Sequence, residues 1–156
     1  MERATTTQPQ AAAIVDPGQG EAFADCDAQV TVKASAESTL GAFTALEYTL
    51  APGKSGPPLH LHRLVYEAFQ VLEGELTLRM GGRTVTARPG ALAFVPLGVA
   101  HAFSNQSGKP VRFLHITSPG GYDSYLRETA KLMAEHGALP PDVAAEIAER
   151  YDIEPA

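Results

Sequence analysis

Two adjacent glycines, Gly81-Gly82, join one β-like run, Leu76–Met80, to another, Arg83–Ala87. Both central positions of a type I′ turn need positive φ, which glycine adopts without steric penalty, so this segment is constrained to an antiparallel hairpin. The same punctuation recurs nearby, at Ala51-Pro52-Gly53, Glu73-Gly74, Pro89-Gly90, Pro96-Leu97-Gly98 and Ser107-Gly108-Lys109-Pro110. Between these turns lie short runs rich in Phe, Leu, Val and Thr: Ala42–Leu50, Ala68–Leu72, Ala91–Val95, His101–Asn105 and Val111–Thr117. An alternating run, Gln29–Lys33, precedes them. Many short strands joined by tight turns predict an all-β sandwich or barrel.

The period changes after Pro119. Tyr122, Tyr125, Leu126, Ala130 and Met133 follow helical spacing, and Gly137 is placed to cap that helix. Pro140-Pro141 opens a second helix with Val143, Ala144, Ile147 and Tyr151 on one side. The expected organisation is a flexible tail over 1–20, a β-barrel over 21–118 and a helical extension over 119–156, with no internal repeat. The helices are expected to cover the barrel or serve an interface.

Charge and composition narrow the partners. The chain carries 12 Lys and Arg against 18 Asp and Glu, a net of −6. A nucleic-acid binder needs a surplus of cations, so no nucleic-acid partner is expected. No apolar run approaches the length of a membrane span, so no membrane partner is expected either. The single Cys26 cannot form an internal disulfide, which points to a reducing, cytoplasmic compartment. The barrel segment, 41–120, holds only four acids, Glu47, Glu67, Glu73 and Glu75, so each one calls for an explanation. Glu73 and Glu75 bracket Gly74 and read as turn carboxylates.

His60-Leu61-His62 supplies the first chemistry. On a strand, residues two apart face the same way, about 6.6 Å apart along the backbone, close enough for two imidazoles to share an ion. Alone, such a pair is equally well explained as structural. Glu67 follows at the start of the next β run, and His101 comes just after the Pro-Leu-Gly turn.

Taken together these residues match a family. The segment His60-x-His62-x4-Glu67-x6-Gly74 resembles the first motif of the cupins. The segment Gly90-x5-Pro96-x-Gly98-x2-His101-x3-Asn105 matches their second motif at every fixed position. Asn105 is the only Asn in the chain, and three of its five His fall on the family's ligand positions. One departure is Lys54, which stands where the family's leading glycine is found, with Gly53 and Gly56 beside it.

The resemblance implies a cupin barrel, a jelly roll or double-stranded β-helix, followed by the two C-terminal helices. It implies one divalent transition metal, Fe, Mn, Ni, Cu or Zn, held by His60, His62, Glu67 and His101. Three imidazoles and a carboxylate are a donor set that accepts any of these ions. It also implies a homodimer, since small cupins pair through their sheets and the strand near Gln29–Lys33 would otherwise be an exposed edge.

Alternation then places Phe69 and Val71 on the face of Glu67, and Phe103 on the face of His101, as lining of a substrate pocket. Tyr48 is a further pocket candidate, able to donate a hydrogen bond to substrate or simply to pack. His115 lies in an apolar strand, where a satisfied core residue is expected rather than a fifth ligand. His136 sits at a helix end, and Cys26 has no basic partner, so neither is assigned a role.

Three functions stay open. Glu67 would be both ligand and catalytic proton acceptor in an oxygen-using dioxygenase acting on an aromatic or enolic small molecule, similar to quercetin 2,3-dioxygenases. The metal would act as a Lewis acid alone in a polyketide cyclase or isomerase that needs no O2. A small-molecule-binding cupin would use the same cavity without turnover.

Overall fold

Alternation of side chains dictates the two-layered architecture. In the computed structural model, which describes residues 11–156, each strand of seven or more residues buries alternate residues and leaves those between them more open to solvent. Chain order is β1 (Ala22–Asp25), β2 (Ala28–Ala34), β3 (Thr44–Leu50), β4 (His60–Leu61), β5 (Tyr66–Glu73), β6 (Leu76–Met80), β7 (Arg83–Ala87), β8 (Leu92–Val95), β9 (His101–Ser104) and β10 (Val111–Ser118). Two helices, α1 (Tyr122–His136) and α2 (Pro141–Arg150), and a last short strand, β11 (Glu154–Pro155), complete it. One sheet has the order β1-β2-β3-β10-β5-β8 and the other β11-β4-β9-β6-β7, all pairs antiparallel. This is the all-β jelly roll with two C-terminal helices that the sequence predicts.

The inward faces interdigitate between the sheets. Leu46, Tyr48 and Leu50 of β3, Phe69 and Val71 of β5, Leu76 and Leu78 of β6 and Phe113 of β10 are all buried. Tyr48 and Phe113 stack with centroids 5.2 Å apart, and Phe103 meets Phe113 edge-on at 5.2 Å. Each buried aromatic of this size stabilises the fold by about 3–5 kcal/mol relative to alanine.

The turns obey the predicted chemistry. Gly81 and Gly82 have φ of 54° and 80°, and Met80 pairs with Arg83 across them. Gly56 has a different reason to be glycine: a Cβ there would lie 2.2 Å from the Phe103 ring. Asn105 explains its place in the motif. Its Nδ2 donates to the carbonyls of Leu50 (2.9 Å) and Lys109 (2.7 Å), while its Oδ1 accepts from the backbone N and Oγ of Ser107. A buried amide that satisfies both ends in this way fixes the β9–β10 turn against β3.

Two features depart from expectation. The strand near Gln29–Lys33 is not an edge, because β1 pairs along it and takes the edge position itself. β1 is only four residues long and carries no alternating run of its own to announce it. β11 was not foreseen either; it pairs with β4, setting Glu154 opposite Leu61 and Pro155 opposite His60. Of the expected tail, residues 1–10 lie outside the described residues. Residues 11–20 are exposed, and the carbonyls of Asp16 and Gln19 accept from Lys33 Nζ. No helix among the described residues is long and apolar enough to cross a membrane.

The start of α1 is tied to the barrel by a buried acid. Asp123, in the first turn of α1, is fully buried. Its Oδ1 accepts from Ala36 N and Thr44 Oγ1, both at 3.2 Å, and its Oδ2 from Arg127 at 2.6 Å. Replacing Asp123 with Ala leaves buried donors unpaired and is expected to lower unfolding free energy by about 1–3 kcal/mol. Urea denaturation measures it; an unchanged midpoint would show that α1 docks without this contact.

Candidate metal centre

Three strands, β4, β5 and β9, bring the four predicted side chains together. His60 lies in β4 directly opposite His101 of β9, and His62 follows just past the end of β4. Glu67 is the second residue of β5, opposite Val95 of β8. All four are buried, and one donor atom from each lies within 4.8 Å of all the others. The His60 and His101 rings are 4.4 Å apart and those of His60 and His62 are 5.0 Å apart.

Each imidazole is aimed by its other nitrogen. Nδ1 of His60 donates to Pro58 O (2.8 Å), that of His62 to Asp152 O (2.6 Å) and that of His101 to Val99 O (3.0 Å). A carbonyl can only accept, so Nδ1 carries the proton and Nε2 presents a bare lone pair to the cluster. His101 Nε2 lies against Glu67 Oε2, and His62 Nε2 is 3.4 Å from the same oxygen. None of these three buried atoms has a hydrogen bond. Buried polar atoms are rarely left so, and three of them converging on one point fit a divalent cation.

The electrostatics differ from ring to ring. Burial, followed by the neighbouring His101, pushes the His60 imidazole down to about 4, so it is neutral and able to ligate at neutral pH. Burial alone would lower the His62 imidazole, but the adjacent Glu67 carboxylate outweighs it and the net shift is upward. Burial likewise would raise Glu67, yet His115, His101 and His62 hold it well below the ordinary carboxylate range. Glu67 is therefore an anion at neutral pH, buried among imidazoles.

His115 is the residue that sequence reasoning undervalued. It is buried on β10 and its Nε2 donates to Glu67 Oε1 at 2.7 Å. Its ring stacks on Phe69 at 4.9 Å and meets Tyr48 and Tyr122 edge-on. It is outside the four-residue cluster and orients the carboxylate from behind. Inward alternation on β10 puts it on the same face as Phe113, a signal consistent with this role but equally with plain packing.

The residues expected to line a pocket lie in the barrel interior. Tyr48, Phe69, Val71 and Phe103 are packed together in the core. The Tyr48 hydroxyl donates to Asp25 Oδ2 at 2.7 Å, where the Tyr122 hydroxyl also donates, at 3.1 Å. Burial raises the Asp25 carboxyl despite these two donors. A cavity of about 590 Å³ reaches His60 and is walled by Leu59, Tyr125, Ala148 and Ile153, with Asp25 at its margin. Its walls are thus drawn largely from the two helices and the C-terminal segment. A larger cleft of about 960 Å³, near Glu73, Lys109 and Arg112, contains none of the cluster residues.

Comparison with known proteins gives the same picture. The family model for the cupin domain matches residues 46–117. Quercetin 2,3-dioxygenase from Bacillus subtilis (strain 168) is 29% identical over 141 residues, which is 88% of this chain. The chain spans 40% of the length of that relative. Among solved structures, a predicted oxalate decarboxylase from Thermotoga maritima superposes with a TM-score of 0.64 at 20% identity, covering 69% of this chain and 99% of the other. A polyketide cyclase from Streptomyces resistomycificus gives 0.61 at 24% identity, covering 69% and 80%. At these identities the two structures establish the fold alone. With two antiparallel sheets around a buried His/His/Glu/His cluster, and with both motifs in register, residues 46–117 of the chain form a cupin domain.

Proposed function

We propose that the protein is a metal-dependent dioxygenase acting on an aromatic or enolic small molecule. The observation that carries this reading is Glu67, a buried carboxylate with one oxygen held by His115 and the other against the unbonded Nε2 atoms of His62 and His101. The similarity to quercetin 2,3-dioxygenase along most of the chain supports the choice of reaction.

In this reading His60, His62, Glu67 and His101 hold one divalent transition metal. Bound there, the metal supplies Lewis acidity and exchangeable positions for substrate and O2. Glu67, a ligand able to leave the metal, would accept the proton of the substrate's enol hydroxyl through Oε2, the oxygen not held by His115. His115 keeps Oε1 fixed while Oε2 gains the proton, so the carboxyl does not rotate away. The apolar walls contributed by Leu59, Tyr125, Ala148 and Ile153 exclude water and suit a flat, largely apolar ligand. Both atoms of O2 end in the product, so no external reductant is needed.

The same proposal includes a homodimer. On the outer face of the larger sheet, Leu92 and Phe94 of β8 and Tyr66 of β5 are exposed at 62%, 58% and 45%, and Phe94 stacks on Tyr66 at 5.9 Å. A contiguous apolar patch on a sheet face is the kind of surface that pairs with another copy. Light scattering is expected to give twice the chain mass, with Phe94→Lys shifting it toward the monomer; a wild-type monomer contradicts this.

The reaction is tested with an oxygen electrode, using metal-reconstituted protein and a panel of flavonols and simpler enols. Oxygen uptake matched to substrate loss is expected. Glu67→Gln should lower the rate at least about 100-fold while retaining much of its metal, as removal of a general base does. His62→Ala should lose the metal first. Anaerobic conversion of substrate at an undiminished rate would replace this reading with a cyclase or isomerase. Absence of turnover across the panel would favour a binding protein.

A further inference from the structure

The three imidazoles of the cluster are all aimed through Nδ1, but their acceptors differ in origin. For His60 and His101 the acceptor lies two residues away along the chain. For His62 it is the carbonyl of Asp152, 90 residues away and well beyond the region that the cupin family model matches. One of the three rings therefore depends on a part of the chain that its own motif does not contain.

Asp152 is itself clamped to the segment that follows His62. Its Oδ1 accepts from Arg63 N at 3.0 Å, and its Oδ2 from Leu64 N at 2.7 Å and Val65 N at 3.0 Å. Three successive backbone N–H groups on one carboxylate leave that loop little freedom. The backbone of Asp152 is in the left-handed region, at φ 59°, which turns its carbonyl back toward His62. Behind it, Asp152 N donates to Glu149 O and Ile153 N to Ala148 O, tying the residue to the end of α2, where Ile147 is buried. Ahead of it, β11 pairs with β4 and Ala156 N donates to Leu59 O. The β4–β11 ladder would hold the strands together without the Asp152 side chain. The carboxylate adds a second constraint, aimed at the residues next to His62.

We propose that Asp152 is a positioning residue of the metal centre: its carboxylate locks the 63–65 loop while its carbonyl fixes the tautomer and direction of His62. The C-terminal segment is thereby part of the centre and not only a lid on the barrel. This inference rests on the metal-binding reading above. It requires no particular reaction.

The test is metal affinity, measured on the full chain. Apo wild type, Asp152→Gly, Asp152→Asn and Glu154→Gln are titrated with Zn2+ against a chromophoric chelator, and the visible spectrum of each Co2+ form is recorded. Glycine accepts the left-handed backbone, so Asp152→Gly removes the carboxylate without adding strain. It is expected to weaken Zn2+ binding by about tenfold or more and to alter the Co2+ bands, the usual scale for a lost outer-shell contact. Asp152→Asn keeps one acceptor oxygen and should recover part of the affinity. Glu154→Gln removes only the exposed ion pair to Arg63 and should stay within about twofold of wild type. Thermal unfolding of the apo forms separates loss of fold from loss of aim. If Asp152→Gly does not fold, Asp152→Asn decides alone: weakening beyond about twofold supports the role. Affinities within about twofold and unchanged Co2+ spectra in the folded Asp152 variants would overturn it. Wild type that binds no Zn2+ would overturn the metal-binding reading and this inference together.

Discussion

A carboxylate with almost no access to solvent, Glu67, is the constraint around which the barrel is arranged. An isolated buried charge would be strongly destabilising, so the fold must surround it with compensating groups. It does so from both sides. His115 donates to one oxygen from β10, and the other faces His101 of β9 and His62 just past the end of β4. These strands belong to both sheets, so the packing of one sheet on the other also assembles the cluster. The three uncompensated atoms that remain in the middle are what make a divalent cation the natural complement.

Much of this was legible in the sequence because it depends on short-range rules. The Gly81-Gly82 hairpin follows from positive φ, and the change of period after Pro119 marks the helices. His60, His62, Glu67 and His101 could be grouped because motif spacing and strand alternation agree. The remainder depends on contacts between distant positions, which leave no periodic trace. Asp152 meets His62 across 90 residues, and β11 is two residues long. Alternation also reports which way a side chain points but not how deep it lies. Phe69, Val71 and Phe103 do face inward, yet they are packed core, while Leu59, Tyr125, Ala148 and Ile153 wall the cavity beside His60.

The division between barrel and extension has a functional meaning. The barrel supplies the proposed ligands, and the segment after it supplies both the cavity wall and the carbonyl that aims His62. A change in the helices would therefore reach both the cavity wall and the aim of His62.

The central claim is that the four buried side chains act together as ligands of one metal ion. X-ray absorption spectroscopy on protein purified without chelator, combined with elemental analysis, tests it most directly. The account predicts about one divalent transition-metal ion per chain, with a first coordination shell of nitrogen and oxygen at about 2.0–2.2 Å and the multiple-scattering signature of imidazoles. A metal-free protein that cannot be loaded, or an ion whose spectrum lacks imidazole scattering, would contradict it.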